Sequence, residues 1–173
     1  MPITPDSELE LSFAPELIPA EIDAALGAHG LHIRPLAASD YRRGHLDVLT
    51  VLTSVGDPGE AAWVERYKQL VSAGIYFIAV IVARETDRIV ATGTVFLEPK
   101  FIRTLATAGH IEDIAVDAST QGKGVGKALI AALTAVGKAR GAYKILLDCS
   151  EDNVPFYTKC GYERKGVEMA RYT

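Results

Sequence analysis

A run of glycines set between an apolar strand and a long amphipathic helix constrains this chain more than any other feature. His110 to Val116 reads as a strand, and S-T-Q-G-K-G-V-G (119–126) follows directly. Ala128, Leu129, Ala132, Leu133 and Val136 then recur at helical spacing. Gly141 stands where a left-handed residue ends a helix, and Lys144 to Cys149 reads as a further strand. A strand, helix and strand joined this closely form a right-handed crossover, so the two strands run parallel. Upstream, Ile75 to Ala83 and Ile89 to Leu97 flank the four-residue turn ETDR, which predicts an antiparallel hairpin. A sheet holding both kinds of pair is mixed, and the fold class is α+β, or α/β with a mixed sheet.

The remaining elements fit around that unit. LHIRPL from Leu31 is a short strand stopped by Pro35. Ser39 is placed to cap a helix carrying Tyr41, His45, Val48, Leu49 and Leu52 on one face. Asp57, Pro58 and Glu60 form an N-cap, first-turn proline and capping box for a helix with Trp63, Val64, Tyr67, Leu70 and Val71 on one face. Near the C-terminus, Asn153 caps a short helix over Val154 to Cys160, with Pro155 in its first turn. Gly161 ends it, and Tyr162 to Tyr172 reads as a closing strand. The expected order is β-α-α-β-β-β-α-β-α-β. Residues 1–30, with prolines at 2, 5, 15 and 19, read as a tail in which Glu21 to Ala28 can dock as a helix. Residues 31–173 read as one domain.

Composition excludes several classes. The 173 residues suffice for one domain, with 49% hydrophobic and 23% charged residues. A net charge of −4 argues against nucleic acid as the main partner. The longest apolar stretch, Ile75 to Ala83, is too short to span a membrane, and the N-terminus lacks the basic start and apolar core of a secretory signal. Two cysteines, Cys149 and Cys160, are too few for a disulfide framework, so a cytoplasmic location is expected. Cys149, in an apolar strand, reads as core.

The glycine-rich turn carries the chemistry. Gly122, Gly124 and Gly126 let backbone N–H groups approach a ligand closely, and the following helix adds partial positive charge at its start. Lys123 and Lys127 add full charges, so the turn suits a pyrophosphate. A Walker A loop needs Ser or Thr after its lysine, but Ala128 follows Lys127. A dinucleotide fingerprint needs another glycine spacing, although Asp148 lies where a ribose-binding acid would sit. A plain connecting turn is the alternative.

Gln121-x-x-Gly124-x-Gly126, after the fourth strand and before the long helix, resembles the acyl-CoA signature of the GNAT acyltransferase superfamily. The stretches LTSVG, GHIEDIAV, YKILLDC, FYTKCGY and GVEMARY, in order from about Leu31 to Tyr172, resemble its glucosamine-6-phosphate N-acetyltransferase family. The resemblance implies the GNAT fold, acetyl-CoA as co-substrate, no metal, and D-glucosamine 6-phosphate as acceptor in UDP-N-acetylglucosamine synthesis. It implies that Gln121, Gly122, Lys123, Gly124, Val125, Gly126 and Lys127 hold the pyrophosphate. Ile114, Ala115 and Val116, on a strand splayed from its neighbour, meet the acyl group, and Asn153 meets the pantetheine arm. Tyr157 stabilises or protonates the departing thiolate. Glu112 holds the sugar and relays the amine proton through water, and Asp148 positions the amine through its backbone carbonyl.

By the same resemblance, Thr53 with its neighbour Ser54, and Lys100, Phe101, Ile102 and Arg103 in the loop PKFIRTL, serve the sugar phosphate. Asp113 belongs to the sugar-binding stretch, but neighbours on a strand point to opposite faces, so Glu112 and Asp113 are expected not to share a ligand through their side chains. His110 reads as a packing residue near the sheet edge. The resemblance further implies a homodimer with shared active sites, in which the C-terminal strand crosses to the partner and Arg171 reaches its sugar phosphate.

Overall fold

The computed structural model describes residues 3–120 and 122–172. One five-stranded sheet has the order β1 (Leu31–Pro35), β2 (Tyr76–Ala83), β3 (Arg88–Pro99), β4 (Thr107–Val116) and β5 (Ala142–Leu146). Neighbours are antiparallel except β4 and β5, which run parallel as the crossover requires. The helices are α1 (Ala20–Gly27), α2 (His45–Leu49), α3 (Glu60–Ala73), a single turn α4 (Ile102–Leu105), α5 (Val125–Ala139) and α6 (Val154–Lys159). No helix among the described residues is long and apolar enough to cross a membrane.

The sheet is covered on both faces, which explains the unbroken apolar run of β2. Phe77, Ala79 and Ile81 face α1 and α5, where Leu129, Leu133 and Val136 pack on them. Ile78, Val80 and Val82 face the other way, against Val48 of α2 and Trp63 and Tyr67 of α3. A strand with one wet face would have alternated instead. α5 holds the centre of its layer because its apolar positions recur along one stripe. Gly141, at φ +86, ends it as expected.

The start of α1 brings Ile18 and Leu26 into the same core, at 7% and 2% exposure. Phe13 meets Phe77 edge-on at 5.5 Å between ring centroids. His32 on β1 lies between Asp23 of α1, at 2.7 Å from Nδ1, and Asp6, at 3.1 Å from Nε2. Hydrogen bonding to Asp6, against the opposing effect of burial and with further help from Asp23, raises the imidazole pKa. The N-terminal segment is thus packed and ion-paired onto the sheet.

Three expected elements differ. The helix from Ser39 is absent. Asp40, fully buried, accepts two hydrogen bonds from the Arg34 guanidinium at 2.7 and 2.8 Å and one from Ala37 N at 2.7 Å. That carboxylate holds residues 36–44 in turns, and α2 starts only after Gly44 at φ +83. The helix expected at Asp57 begins later: Asp57 Oδ1 accepts from Gly59 N at 2.8 Å, Gly59 is the N-cap, and Glu60 pairs with Arg42 instead of closing a capping box. The closing strand from Tyr162 is not formed. Residues 163–172 form neither helix nor strand and are exposed, Val167 at 85% and Met169 at 93%. A strand needs an open edge to pair with, and residues 163–172 pair with none of the five strands.

Arg34 and Asp40 are the main buried ion pair. Asp40→Ala would leave the guanidinium desolvated without its counter-charge, and such losses cost about 3–5 kcal/mol. Urea unfolding is expected to register a loss of that size, and a loss below about 1 kcal/mol would show that the pair does not brace the fold.

Candidate active site

The site begins with an irregularity in β4. Thr94 faces Glu112 and Thr92 faces Ala115, so Gly93 alone opposes both Asp113 and Ile114. This is a bulge, with Asp113 at φ +54. Gly93 is required there because a Cβ would meet Ile114 Cδ1 at 2.5 Å and Leu133 Cδ1 at 2.9 Å. Ile111 and Ile114, three residues apart, both pack in the α5-side cluster, so the bulge breaks the strict alternation of β4, and Glu112 and Asp113 are both exposed. Pairing of β4 with β5 ends at His110 and Leu146, so 111–116 has an edge without a strand partner on the β5 side.

A cleft of about 660 Å³ opens along that edge. Ile114 and Val116 form one wall, and Gly122, Gly124, Val125, Gly126 and Lys127 form its end. Asn153, Phe156 and Tyr157 of the α6 region form the other wall, and Val51 closes a corner. Eight of the residues expected to meet the coenzyme therefore share one cavity with Tyr157. Ala115 differs: its side chain is fully buried in the core on the α2–α3 face, which leaves only its backbone on the strand. Lys123 turns to the opposite side of the glycine loop. Gln121 lies outside the described residues.

The glycine loop fits a pyrophosphate. Gly122 and Gly124 stand at φ +81 and +72, and a Cβ on either would meet nothing, so they are needed for their backbone conformation. Gly124 is the N-cap of α5 and has no capping side chain. Ala128 N bonds Gly124 O at 2.9 Å, which leaves the amides of Val125, Gly126 and Lys127 at the start of the helix without an i−4 carbonyl. Gly126 has a different reason, since a Cβ there would press on Phe156 Cζ at 3.2 Å. Asn153 makes no side-chain cap bond, so its amide is free for the cleft. No group of three His, Cys, Asp or Glu able to hold a metal occurs among the described residues.

Tyr157 is half-buried between Phe156, at 5.0 Å, and Tyr162, at 6.4 Å between ring centroids. Burial pushes its phenol pKa up, with smaller effects from Cys149, Cys160 and Tyr162, so it is a neutral proton donor at pH 7. Cys149 is exposed, which corrects its reading as core: β5 stops at Leu146, and Cys149 falls in the following loop. Both cysteines are free.

Three acids gather where β4 meets the loop after β5: Glu112, Asp113 and Asp148. Partial desolvation, then the charges of Asp113 and Asp148, raise the Glu112 pKa, with His110 opposing and Glu168 adding to the rise. Glu112 is thereby a better proton acceptor than an ordinary surface carboxylate. The influence of Glu168 brings the C-terminal segment near this cluster, whereas Arg171 has no salt bridge among the described residues.

The expected phosphate ligands are dispersed. Lys100 Nζ pairs with Glu98 at 2.5 Å, and Glu98 also takes a hydrogen bond from His110 Nε2 at 2.9 Å. His110 stacks on Phe96 at 4.7 Å, in keeping with a packing role. Arg103 lies 5.1 Å above the Tyr143 ring. Arg103, Thr104 and Leu105 have φ of +53, +58 and +61, so α4 is a left-handed turn, and Phe101 and Ile102 beside it are 95% and 63% exposed. Thr53 is exposed in the loop after α2, two residues beyond Val51.

Sequence reasoning missed Val51 and Phe156 as walls of the cleft. Phe156 had a signal, since an aromatic next to Tyr157 at the start of a short helix faces the same turn. Val51 had none, because its place depends on how the loop after α2 folds back.

Comparison with known proteins gives the site a family. A model of the acetyltransferase (GNAT) family matches residues 49–162. Over 144 residues the chain is 42% identical to glucosamine 6-phosphate N-acetyltransferase 1 of Dictyostelium discoideum, covering 83% of this chain and 91% of that protein. It is 41% identical to the glucosamine 6-phosphate N-acetyltransferase of Candida albicans over 140 residues, 81% of this chain and 94% of that protein. The crystal structure of the glucosamine-6-phosphate N-acetyltransferase from Arabidopsis thaliana superposes with a TM-score of 0.80 at 39% identity, covering 82% of this chain and 97% of that one. With the splayed strand, the glycine cradle and the tyrosine in one cleft, the chain belongs to the GNAT acetyltransferases and, within them, to the glucosamine 6-phosphate N-acetyltransferase family.

Proposed function

We propose that this protein transfers acetyl from acetyl-CoA to the amine of D-glucosamine 6-phosphate, giving N-acetyl-D-glucosamine 6-phosphate and coenzyme A. The carrying observation is the single cleft that joins the unpaired β4 edge, the α5 start and Tyr157. The amides of the first turn of α5, with Lys127, hold the pyrophosphate, and Asn153 holds the pantetheine arm. Amides on the free edge of 111–116 donate to the thioester oxygen, where negative charge develops. The amine nitrogen attacks the carbonyl carbon, the C–N bond forms, and the C–S bond breaks with its electron pair on sulfur. Tyr157 gives its proton to that sulfur and recovers one from solvent. The proton lost by the amine passes through water to Glu112, whose raised pKa suits it. The backbone carbonyl of Asp148 orients the amine. Both substrates bind together, so neither cysteine acts as a nucleophile.

For the acceptor, Asp113 and Glu112 serve the sugar, which is supported by their shared exposure at the bulge. Thr53, Lys100, Phe101, Ile102 and Arg103 serve the phosphate side, with Lys100 exchanging Glu98 for the phosphate. A homodimer completes this side, its partner's C-terminal segment bringing Arg171. The support is the uncovered apolar side chains of Val167, Met169 and Tyr172 and of Phe101 and Leu105. The catalytic domain is taken as residues 31–173, with residues 3–30 packed onto it, and its location as cytoplasmic, which suits two unpaired thiols.

The reading is tested by thiol release from acetyl-CoA against a panel of amines. Glucosamine 6-phosphate is expected to be turned over with far higher kcat/KM than glucosamine, a polyamine or an amino acid. Equal rates with glucosamine would remove the phosphate site, and tight coenzyme binding with no turnover would mark a binding module.

Two variants follow from the geometry. Gly124→Val forces a β-branched residue into a left-handed conformation at the cradle, and calorimetry is expected to record weaker acetyl-CoA binding. Binding equal to wild type would mean the cradle is elsewhere. Tyr157→Phe keeps the ring and removes the donor, so kcat is expected to fall roughly tenfold to a hundredfold with little change in melting temperature. An unchanged kcat under rate-limiting chemistry would assign the ring to packing.

A further inference from the structure

His32 stands where β1, α1 and the single turn at Asp6–Glu8 meet, and both of its ring nitrogens face carboxylates of the N-terminal segment. Nδ1 is 2.7 Å from Asp23 Oδ1, and Nε2 is 3.1 and 3.2 Å from the two oxygens of Asp6. A carboxylate only accepts hydrogen bonds, so both contacts are satisfied together only when both nitrogens carry protons. Two cations share the cluster. Arg84, just after β2, has Nη2 at 3.5 Å from Asp23 Oδ2 and 3.4 Å from His32 Nδ1. Arg34, next but one along β1, has Nε at 3.9 Å from Asp6 Oδ1. Backbone bonds fix the positions: Ile33 N donates to Asp23 Oδ1 at 3.0 Å, and Arg84 Nε donates to Leu31 O at 3.0 Å.

We propose that His32 is a proton-operated latch on the N-terminal segment: the imidazolium holds Asp6 and Asp23 together, and the neutral ring keeps Asp6 and lets go of Asp23. The neighbours decide which arm is released. A neutral imidazole retains one N–H. With that proton on Nε2 the bond to Asp6 survives, and Nδ1 becomes an acceptor for Arg84 Nη2. The other tautomer would set a lone pair against both oxygens of Asp6, and among the described residues no cation lies within hydrogen-bond distance of Nε2. Asp23 Oδ1 then faces a lone pair at 2.7 Å and moves away, which loosens α1.

Hydrogen bonding to Asp6, against burial and with help from Asp23, raises the His32 pKa above its ordinary 6.5. The undocked chain titrates at the ordinary value. The latch therefore contributes in full below about pH 6.5 and is lost as pH rises through the higher docked value. Its reach extends to the glycine loop, because Ile22, Ala25 and Leu26 of α1 face Gly124, Lys127 and Ala128 across a cavity of about 320 Å³. That flank of the loop is firm when His32 is protonated and loosens when it is not.

The test is made on the full chain. Imidazole nitrogen NMR shifts read protonation and tautomer together, and the His32 signal is the one missing from His32→Gln. In wild type it is expected to titrate above 6.5 and to leave a neutral ring protonated on Nε2. Amide exchange of α1, referred to that of α5 at each pH, is expected to quicken about tenfold through that titration, the size of one charged hydrogen bond. His32→Gln removes the titration and is expected to leave the α1-to-α5 ratio flat over the same range. Asp6→Asn, at a part-exposed side chain, keeps the imidazole and is expected to bring its titration down toward 6.5; the signal that moves identifies His32 if the glutamine variant does not fold. A wild-type His32 that titrates at or below 6.5, or a neutral ring protonated on Nδ1, overturns the latch. So does an α1-to-α5 ratio that stays constant through the wild-type titration, an equal change of that ratio in His32→Gln, or an unmoved titration in Asp6→Asn.

Discussion

The bulge opposite Gly93 is the constraint on which the site depends. A sheet that paired along its whole length would have no free backbone donors in its interior and no space for a thioester. Two residues of β4 against one of β3 bend β4 away from β5, and the parallel pairing ends after four residues of β4. The same irregularity breaks the alternation of β4 and sends Ile114 toward α5 and the cleft. One missing Cβ therefore links the packing of the sheet to the opening of the cleft and the position of the glycine cradle.

Charge is divided along the cleft in a way that suits the reaction. The cradle end has two lysines and a helix start, which favour an anion. Beside the cleft stand Glu112, Asp113 and Asp148, which favour an amine, and the charges of Asp113 and Asp148 disfavour ionisation of Glu112. Tyr157 lies on the wall between the two ends, held neutral by burial. The loop after β3 carries three consecutive residues in the left-handed region, Arg103 to Leu105, each costing about 1–2 kcal/mol, and it is held by the contact of Arg103 with Tyr143 and by the Lys100 N–Ala106 O and Ala106 N–Ile102 O bonds.

The N-terminal segment belongs to the same economy of surfaces. Ile18 and Leu26 close the α5 face of the core where β1 is too short to do so alone. His32 holds both Asp6 and Asp23 through its two ring nitrogens, which requires the protonated imidazole, and the raised pKa follows from that. Fixing α1 in this way gives the glycine loop a second flank, and the cavity there is a consequence of the docking.

The sequence by itself determined the order of elements from β2 to α6 apart from the single turn α4, the parallel crossover and the placement of the glycine cradle. These depend on local signals: hydrophobic period, glycines at left-handed positions, and a proline in the first turn of α6. It also marked Tyr157, Asn153 and the cradle as one group, through a spaced series of short stretches. Other features were decided only in three dimensions. Ser39 lost its helix because Arg34, on β1, claimed Asp40. β4 lost its strict alternation because a glycine on another strand left room for a bulge. Cys149 passed from core to surface when β5 stopped three residues early, and residues 163–172 formed no strand, pairing with none of the five in the sheet. Each of these turns on a contact between residues far apart in the chain, and local periodicity carries no information about such contacts.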